Sequence, residues 1–429
     1  MSRVLFTTIG SLGDLHPLIA LAFKLRERGH FVAFCTSSFY RAKIEALGFE
    51  FHPLRPDIAP DTPEMERWSR EIMDPAKGPH VLLRKFLFPH VRETWEDLSR
   101  AVSADGGFDL LISGEIVYAA PVVAEKTGIR WASTTLSPMP FFSAHDFPIL
   151  APAQGFSTFL RGRRLAARRT IMWLIKRFTR SWSKPVRQLR AELGLPPGAD
   201  PIHEGKFSPD LVLAMFSPRF GPPQPDWPPR TETPGFAFYD APQSGPLEAL
   251  ERFLAAGEPP IVFTLGSAAV RDPGNFYQES ARAAVLLKRR AILLVGQNAF
   301  SEALPEGVAV FDYLPYSKIF PRAAAIVHQA GIGTTAQALR ARRPMLAVPF
   351  AFDQPDNAFR LVQLGVARSI PRHKYSAKTA ARELDELLKN PAYQQKASEL
   401  SADIQREDGA ARAADALERL LANRPKPRQ

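Results

Sequence analysis

Positions 328 to 337 read His-Gln-Ala-Gly-Ile-Gly-Thr-Thr-Ala-Gln. The stretch follows an apolar run and opens a segment of helical spacing, so it joins a strand to a helix. Gly331 and Gly333 let backbone N–H groups come close to an anion, and a helix N-terminus adds positive partial charge. Thr334 and Thr335 supply hydroxyl donors and can cap the helix. His328, at the strand's end, can donate to a phosphate oxygen. Asp353 and Gln354 come sixteen residues after Gln337, just past an apolar run ending at Val348-Pro349. A carboxylate and an amide at that sheet mouth can grip sugar hydroxyls. The chemistry is that of a diphosphate site with a polyol clamp beside it. Each piece alone has a plainer reading: an ordinary tight turn, a satisfied core histidine. The combined spacing favours the site.

The elements that must position these residues are legible from periodicity. Residues 3–9 read as a buried strand, 10–14 as a tight turn, 17–28 as a helix with Leu18, Leu21, Ala22 and Leu25 on one face, and 30–36 as a second strand. The pattern recurs with strands at 109–113 and 130–134 around a helix ending near Ala124. Nine prolines lie between Pro218 and Pro246. Proline cannot donate to a ladder and resists helix interiors, so this segment reads as an interdomain linker. After it the alternation restarts, with strands at 260–266, 291–295, 308–311, 324–327 and 344–348 and helices at 276–287 and 334–341. The expected class is α/β: two Rossmann-like parallel-sheet domains, residues 1–217 and 247–429, around a 218–246 linker. A ligand would lie between them, outside the carboxyl ends of both sheets. The tail 423–429 reads as frayed.

Bulk composition agrees with this division. A chain of 429 residues, 45% apolar and 23% charged, fits a soluble globular protein of two domains. The single cysteine, Cys35, excludes an internal disulfide, fits a reducing compartment and sits in the apolar run 31–35 as a buried, inert thiol. The apolar run 4–9 is too short for a signal peptide, and no stretch approaches the ~20 apolar residues that span a bilayer. The expected location is cytoplasmic. The net charge is +11 and is uneven: residues 161–190 hold eleven Lys/Arg and no acid. There the arginines interleave with Leu165, Ile171, Met172, Trp173, Leu174, Ile175 and Phe178. One reading is an amphipathic helix peripheral to the inner, anionic membrane face. The plainer and favoured reading is a helix with its apolar stripe on the core and its arginines outward.

The segment Val327-His328, Gly331 to Leu339, Pro344, Pro349 and Asp353 to Ala358 resembles the nucleotide-sugar signature of the inverting GT-B glycosyltransferases of family 1, in its bacterial form. Leu314-Pro315-Tyr316, Phe320-Pro321-Arg322, Asp226-Trp227-Pro228 and Gly235-Phe236 look like the rhamnosyltransferase and sterol glucosyltransferase branch. The resemblance implies a GT-B fold whose C-terminal helix returns to the N-terminal domain. It implies an enzyme, a hexosyltransferase, with a UDP-sugar or dTDP-sugar as donor substrate and no further cofactor or metal. His328 would hold the α-phosphate, Gly331, Gly333, Thr334 and Thr335 the diphosphate, and Asp353 and Gln354 the sugar. Gln337 stands where many relatives carry a ribose-binding glutamate. The base would lie near residues 312–315, with Tyr313 as a stacking ring and Leu314 beside it, and Ser267 would face the phosphate or sugar. Gln329-Ala330 departs from the His-Gly of many relatives. The missing glycine would tighten the loop and shift nucleotide preference.

Inverting transfer needs a general base on the acceptor hydroxyl. The loop Gly10-Ser11-Leu12-Gly13-Asp14-Leu15-His16-Pro17 supplies candidates, with Gly13 facing the donor. Asp14 occupies the position where plant relatives carry histidine and sterol and antibiotic enzymes carry aspartate. His16 is the rival, because its unperturbed pKa suits the task better. The plainer role for Asp14 is a helix N-cap. No Asp-x-Asp on a strand-end loop offers to hold a metal–diphosphate, so helix dipole, backbone N–H groups and His328 would offset the leaving-group charge. On the acceptor side Phe88, Phe141, Phe142 and His145 are candidates to line an apolar pocket for a phenol, polyketide, sterol or lipid, although ordinary core packing serves each phenylalanine equally well. Glu115 is a further residue near the cleft. Three alternatives remain at this level. A sugar-nucleotide epimerase shares the architecture. A non-catalytic nucleotide or nucleic-acid binder fits the charge, but no nucleic-acid motif is visible. A dinucleotide oxidoreductase lacks its third glycine.

Overall fold

The structure, a computed structural model, describes residues 1–57, 62–240, 247–298, 300 and 302–422. The end of the proline-rich segment (241–246) and the tail 423–429 lie outside the described residues. The strands are β1 (Arg3–Thr8), β2 (Phe31–Thr36), β3 (Glu50–Pro53), β4 (Leu110–Ser113), β5 (Arg130–Thr135), β6 (Leu211–Ala214), β7 (Thr231–Glu232), β8 (Ile261–Thr264), β9 (Ala291–Leu294), β10 (Val308–Phe311), β11 (Ala325–His328), β12 (Met345–Ala347) and β13 (Ala367–Ser369). They form two sheets, ordered β3-β2-β1-β4-β5-β6-β7 and β10-β9-β8-β11-β12-β13. Neighbouring strands run parallel throughout, as in β1 with β4 and β8 with β11.

Parallel strands need crossover helices, and both faces of the sheets are therefore apolar. That is why β1, β4, β8 and β11 read as continuous hydrophobic runs rather than alternating ones. Five helices matter here: α1 (Leu12–Glu27), α2 (Leu165–Thr179), α3 (Ile332–Arg340), α4 (Gln354–Gln363) and α5 (Gly409–Ala422). In each sheet the strand order reverses beside the first strand, between β1 and β4 and between β8 and β11. Such switch points open a crevice at the carboxyl ends of the strands.

Helix α1 starts at Leu12, five residues before the start expected from periodicity. Ser11 is its N-cap, and Asp14 at N3 completes a capping box. Pro17 then sits inside the helix, where it lacks the N–H that would bond the Gly13 carbonyl. The proline-rich segment is not a free linker at its start. Its β7 adds an edge strand to the N-terminal sheet, and Phe220, Trp227 and Phe236 are buried. Pro228 and Pro229 flank that edge, a position proline tolerates.

Helix α5 packs against α1, with Ala413, Ala414 and Leu417 in one core with Leu18, Leu21 and Leu25. Arg28 pairs with Asp415 and Glu418 at 2.6 and 2.7 Å. A β-carbon on Gly409 would lie 2.5 Å from the Gly235 carbonyl, so only glycine allows this crossing. A buried ion network joins the two halves. Arg360 of α4 pairs with Asp356 at 2.7 Å and with Asp146 at 2.6 Å, and the Ile149 N–H donates to Asp356 at 2.9 Å.

Removing a partner from a buried ion network leaves uncompensated charge. Arg360→Ala is expected to cost roughly 3 kcal/mol. Thermal unfolding followed by circular dichroism should show a midpoint several degrees lower than that of the parent.

Candidate active site

The loops after the switch-point strands converge. Thr7 of β1 pairs with Ser113 of β4, which sets the 9–14 loop beside Gly114-Glu115. Thr264 of β8 pairs with His328 of β11, which sets Gly266-Ser267 beside the glycine loop. Between the two sheets lies a cavity of about 300 Å³. Gly13 and His16 line it from the N-terminal half. Ser267, Tyr313, Gly333, Thr334 and Gln337 line it from the C-terminal half. The halves nearly touch: a β-carbon on Gly333 would lie 3.6 Å from the Gly13 Cα. The N-termini of α1 and α3 thus meet across the cavity.

The glycine loop is built for an acceptor of hydrogen bonds. Gly331 is the N-cap of α3, so the first N–H groups of that helix lack helical partners. His328 is fully buried, and burial pushes its pKa down to about 3. The ring is neutral near pH 7. Its Nδ1 accepts the Ala330 N–H at 3.1 Å, which puts the ring proton on Nε2. That Nε2 is buried and has no partner among the described residues, and the same holds for the Thr335 Oγ1. Orphaned buried donors are costly unless a ligand completes them. Ala330 holds a left-handed φ of +64°. Its carbonyl accepts from Asn357 Nδ2 at 2.9 Å, and the same amide donates to Asp353 Oδ2 at 2.7 Å. Asn357 therefore ties the glycine loop to the start of α4.

Gln329 fills space that two glycines leave open. A β-carbon on Gly266 would lie 2.3 Å from its Nε2, and one on Gly331 2.7 Å. The side chain is 4% exposed and its Oε1 has no partner.

The carboxylates sit where burial makes them poor anions. Desolvation, offset in part by the Ser11 N–H and reinforced by Glu115, pushes Asp14 up to about 6. Desolvation also pushes Asp353 up to about 7, with Asn357 lowering it and Glu115 and Asp14 raising it. Glu115 is itself raised by burial, held by the Thr135 hydroxyl at 2.6 Å and opposed by the charge of Lys206. Acids from both halves thus act on one another across the cleft. Asp14 Oδ2 takes the Ser11 N–H at 2.7 Å, so the aspartate has a capping role as well, at N3 rather than at the N-cap. His16 lies on the cavity wall, 5.1 Å from the Tyr239 ring, with Nε2 unpartnered. Desolvation and Lys43 bring its pKa down to about 4.

Comparison with known proteins names the family. Residues 4–138 match the glycosyltransferase family 28 N-terminal domain. Residues 290–420 match the erythromycin biosynthesis protein CIII-like C-terminal domain. The chain is 32% identical to an O-mycaminosyltylonolide 6-deoxyallosyltransferase of Streptomyces fradiae, over 97% of each chain. The chain is a GT-B glycosyltransferase. It is a hexosyltransferase, also similar to a sterol 3-beta-glucosyltransferase of Arabidopsis thaliana at 26% identity, over 98% of this chain and 68% of the relative. A spinosyn rhamnosyltransferase complexed with thymidine diphosphate shares the fold, with a TM-score of 0.68 at 16% identity, covering 97% of this chain and all of the other.

Several expected site residues lie elsewhere in the transferase. The Leu314 side chain is wholly buried in the core with Ile319 and Phe320, so only its backbone faces the side of the cavity that Tyr313 and Pro315 line. Its neighbour Tyr313 is half-exposed on the cavity wall. The Gln354 amide oxygen is taken by the N–H groups of Phe350 and Ala351 at 2.9 and 3.2 Å, so its carbonyl braces the loop. Phe88 packs against Tyr118, and Phe141 stacks on Trp227 at 4.0 Å, both as ordinary core. Phe142 packs with Phe147, Leu160 and Met172. His145 does not line the cavity. Its loop is held by Asp226, which accepts from Ser143 Oγ at 2.5 Å and the Ala144 N–H at 2.7 Å. Tyr316, which lines the cavity and pairs with Thr264 at 2.9 Å, and Asn357 fall within the quoted motifs but had no role assigned from sequence, and Tyr239 and Asp240 had no signal at all. The spacing from Asp353 to Asn357, one turn of helix, is the signal that could have found Asn357.

A left-handed alanine carries strain that glycine does not. Ala330→Gly is expected to raise stability by about 0.5–1 kcal/mol, after allowing for glycine's greater freedom in the unfolded chain. Thermal melting of the two forms side by side checks this.

Proposed function

We propose that the protein is an inverting, metal-independent transferase that moves a hexose or deoxyhexose from a UDP- or dTDP-sugar to a hydroxyl of a hydrophobic acceptor. The observation that carries this reading is the orphaned His328 Nε2 beside the N-terminus of α3, a helix whose Gly333 and Thr334 line a cavity walled on the other side by Gly13 of the Asp14 loop. The diphosphate would take the His328 Nε2–H, the Thr335 hydroxyl and the first N–H groups of α3. Asp353 would accept from sugar hydroxyls, braced by Asn357.

In the step itself Asp14 takes the acceptor's proton. The acceptor oxygen then bonds to the anomeric carbon from the face opposite the diphosphate. The bond from that carbon to the phosphate oxygen breaks, and its electrons leave with the nucleotide. Inversion follows from the opposed geometry. The negative charge on the leaving group is offset by the α3 dipole and by neutral His328 donating a hydrogen bond. We favour a deoxyhexose on dTDP. The named relative of Streptomyces transfers a 6-deoxyhexose, and the spinosyn enzyme was captured with thymidine diphosphate. The acceptor class follows the same relatives: a natural-product or sterol hydroxyl. Cytoplasmic work suits the lone buried thiol of Cys35.

Asp14 and His16 predict different pH profiles. A base works only when deprotonated, so the rate falls as pH drops through its pKa. If Asp14 is the base, kcat/KM has an acid limb near pH 6; if His16 is, the limb lies near 4. Asp14→Asn should then lose at least about 100-fold in transfer while nucleotide binding persists. Near-normal turnover in that variant removes Asp14 from the mechanism.

A thermal-shift panel of dTDP, UDP, GDP and NAD in EDTA tests the donor site. Ligands that bind only the folded state raise the midpoint. Stabilisation by dTDP or UDP without metal is expected; a shift that appears only when Mg²⁺ is supplied would refute the metal-free site.

A further inference from the structure

The segment rich in arginine and aromatics was expected to turn its apolar stripe inward and its arginines outward. The structure honours only half of that. One stripe of α2, with Ile171 and Met172, packs down on the Phe142–Phe147 loop. The outward face is not simply polar. Trp173 is 60% exposed, Phe178 72%, and Leu174 is also exposed. Phe156 and Phe159 on the adjoining helix Gln154–Arg161 are exposed as well. Five of the protein's exposed large apolar side chains thus fall within about two dozen residues on two neighbouring helices. Scattered surface apolar groups are ordinary; five large ones, four of them aromatic, on two helices that touch each other mark an interaction face.

The charge around the patch names its partner. Arg164, Arg169, Arg177 and Arg180 make no ion pair among the described residues, and Arg163 only stacks on Phe159 at 3.8 Å. The nearby acids are already engaged: Glu204 with Lys176, and Asp146 with Arg161 and Arg360. Aromatic rings and leucine flanked by unpaired guanidinium groups match one surface well, an anionic phospholipid bilayer. The rings enter the acyl boundary while the arginines meet headgroup phosphates. No helix of the described residues is long and apolar enough to cross a membrane, so the contact would be peripheral.

We propose that the exposed face formed by α2 and the helix Gln154–Arg161 docks the protein on an anionic bilayer. The face stands on the loop holding Phe142 and His145: the His145 carbonyl accepts from Arg168 of α2 at 3.1 Å. Docking therefore brings the N-terminal half, not the donor cavity, against the lipid. This face stands independently of the transferase chemistry, so its test needs no turnover.

The full chain is sedimented with vesicles of phosphatidylcholine alone and of phosphatidylcholine mixed with phosphatidylglycerol. Co-pelleting with the mixed vesicles at low salt is expected, weakening at least ~10-fold when salt shortens the screening length to a few ångströms. Trp173→Ser with Phe178→Ser, and separately Arg169→Glu with Arg177→Glu, should each reduce the bound fraction strongly. All four side chains are exposed, so the variants should keep the parent's melting temperature and its dTDP or UDP shift. Absence of pelleting with anionic vesicles overturns the proposal, as does pelleting undiminished in both double variants. Light scattering distinguishes the rival occupant: self-association that the same variants abolish, without vesicle binding, would assign the face to a second copy of the chain and overturn the lipid assignment.

Discussion

Two helix N-termini face each other across one cavity, and much of the structure answers to that constraint. Helices α1 and α3 meet at Gly13 and Gly333 with room for little more than a β-carbon between them. Each end carries about half a positive charge. Like ends brought together repel unless something negative lies between. The protein supplies part of that charge itself: Asp14 in the first turn of α1, and Asp353 and Glu115 nearby. Yet desolvation raises all three carboxyl pKa values, so the acids are reluctant anions there. Around the start of α3 the balance tips the other way, because His328 Nε2, the Thr335 hydroxyl and the α3 N–H groups are all donors. A diphosphate, as in the donor proposed above, would complete the balance.

Neutral His328 follows from the same constraint. A cation beside a buried helix N-terminus would add like charge, and burial removes that option. What remains is a directed proton on Nε2, fixed because Nδ1 is committed to the Ala330 N–H. That bond needs the backbone at 330 to turn left-handed. The chain accepts alanine strain there, while Gln329 takes the space above Gly266 and Gly331.

The sequence made the C-terminal site readable because its residues lie close along the chain. His328 to Gln337 spans one loop and one helix, and glycines, threonines and an apolar strand announce it. The N-terminal strand–loop–helix was equally clear, yet its helix began earlier, because Ser11 and Asp14 form a capping box that reads as a turn when glycines flank it. Short strands escaped notice: β6 has four residues and β7 two, within proline-rich surroundings that suggested a linker. A loop beside a strand does not reveal which side chain points inward: that of Tyr313 faces the cavity and that of Leu314 the core. The acceptor phenylalanines were undecidable from type alone, since aromatic rings serve cores and pockets alike. Glu115 and Lys206 become neighbours only through the fold.

The return of α5 to the N-terminal half has a consequence for how the chain is made. The outer face of α1, laid down among the first 27 residues, is covered by Ala413, Ala414 and Leu417. During synthesis that greasy stripe waits for almost four hundred residues before its cover emerges from the ribosome. The N-terminal half can assemble its sheet early, but it cannot finish folding until residues 409–422 have emerged. Ribosome stalling or truncation upstream of residue 409 would therefore leave a sticky nascent domain, a client for chaperones even though its own sheet is complete.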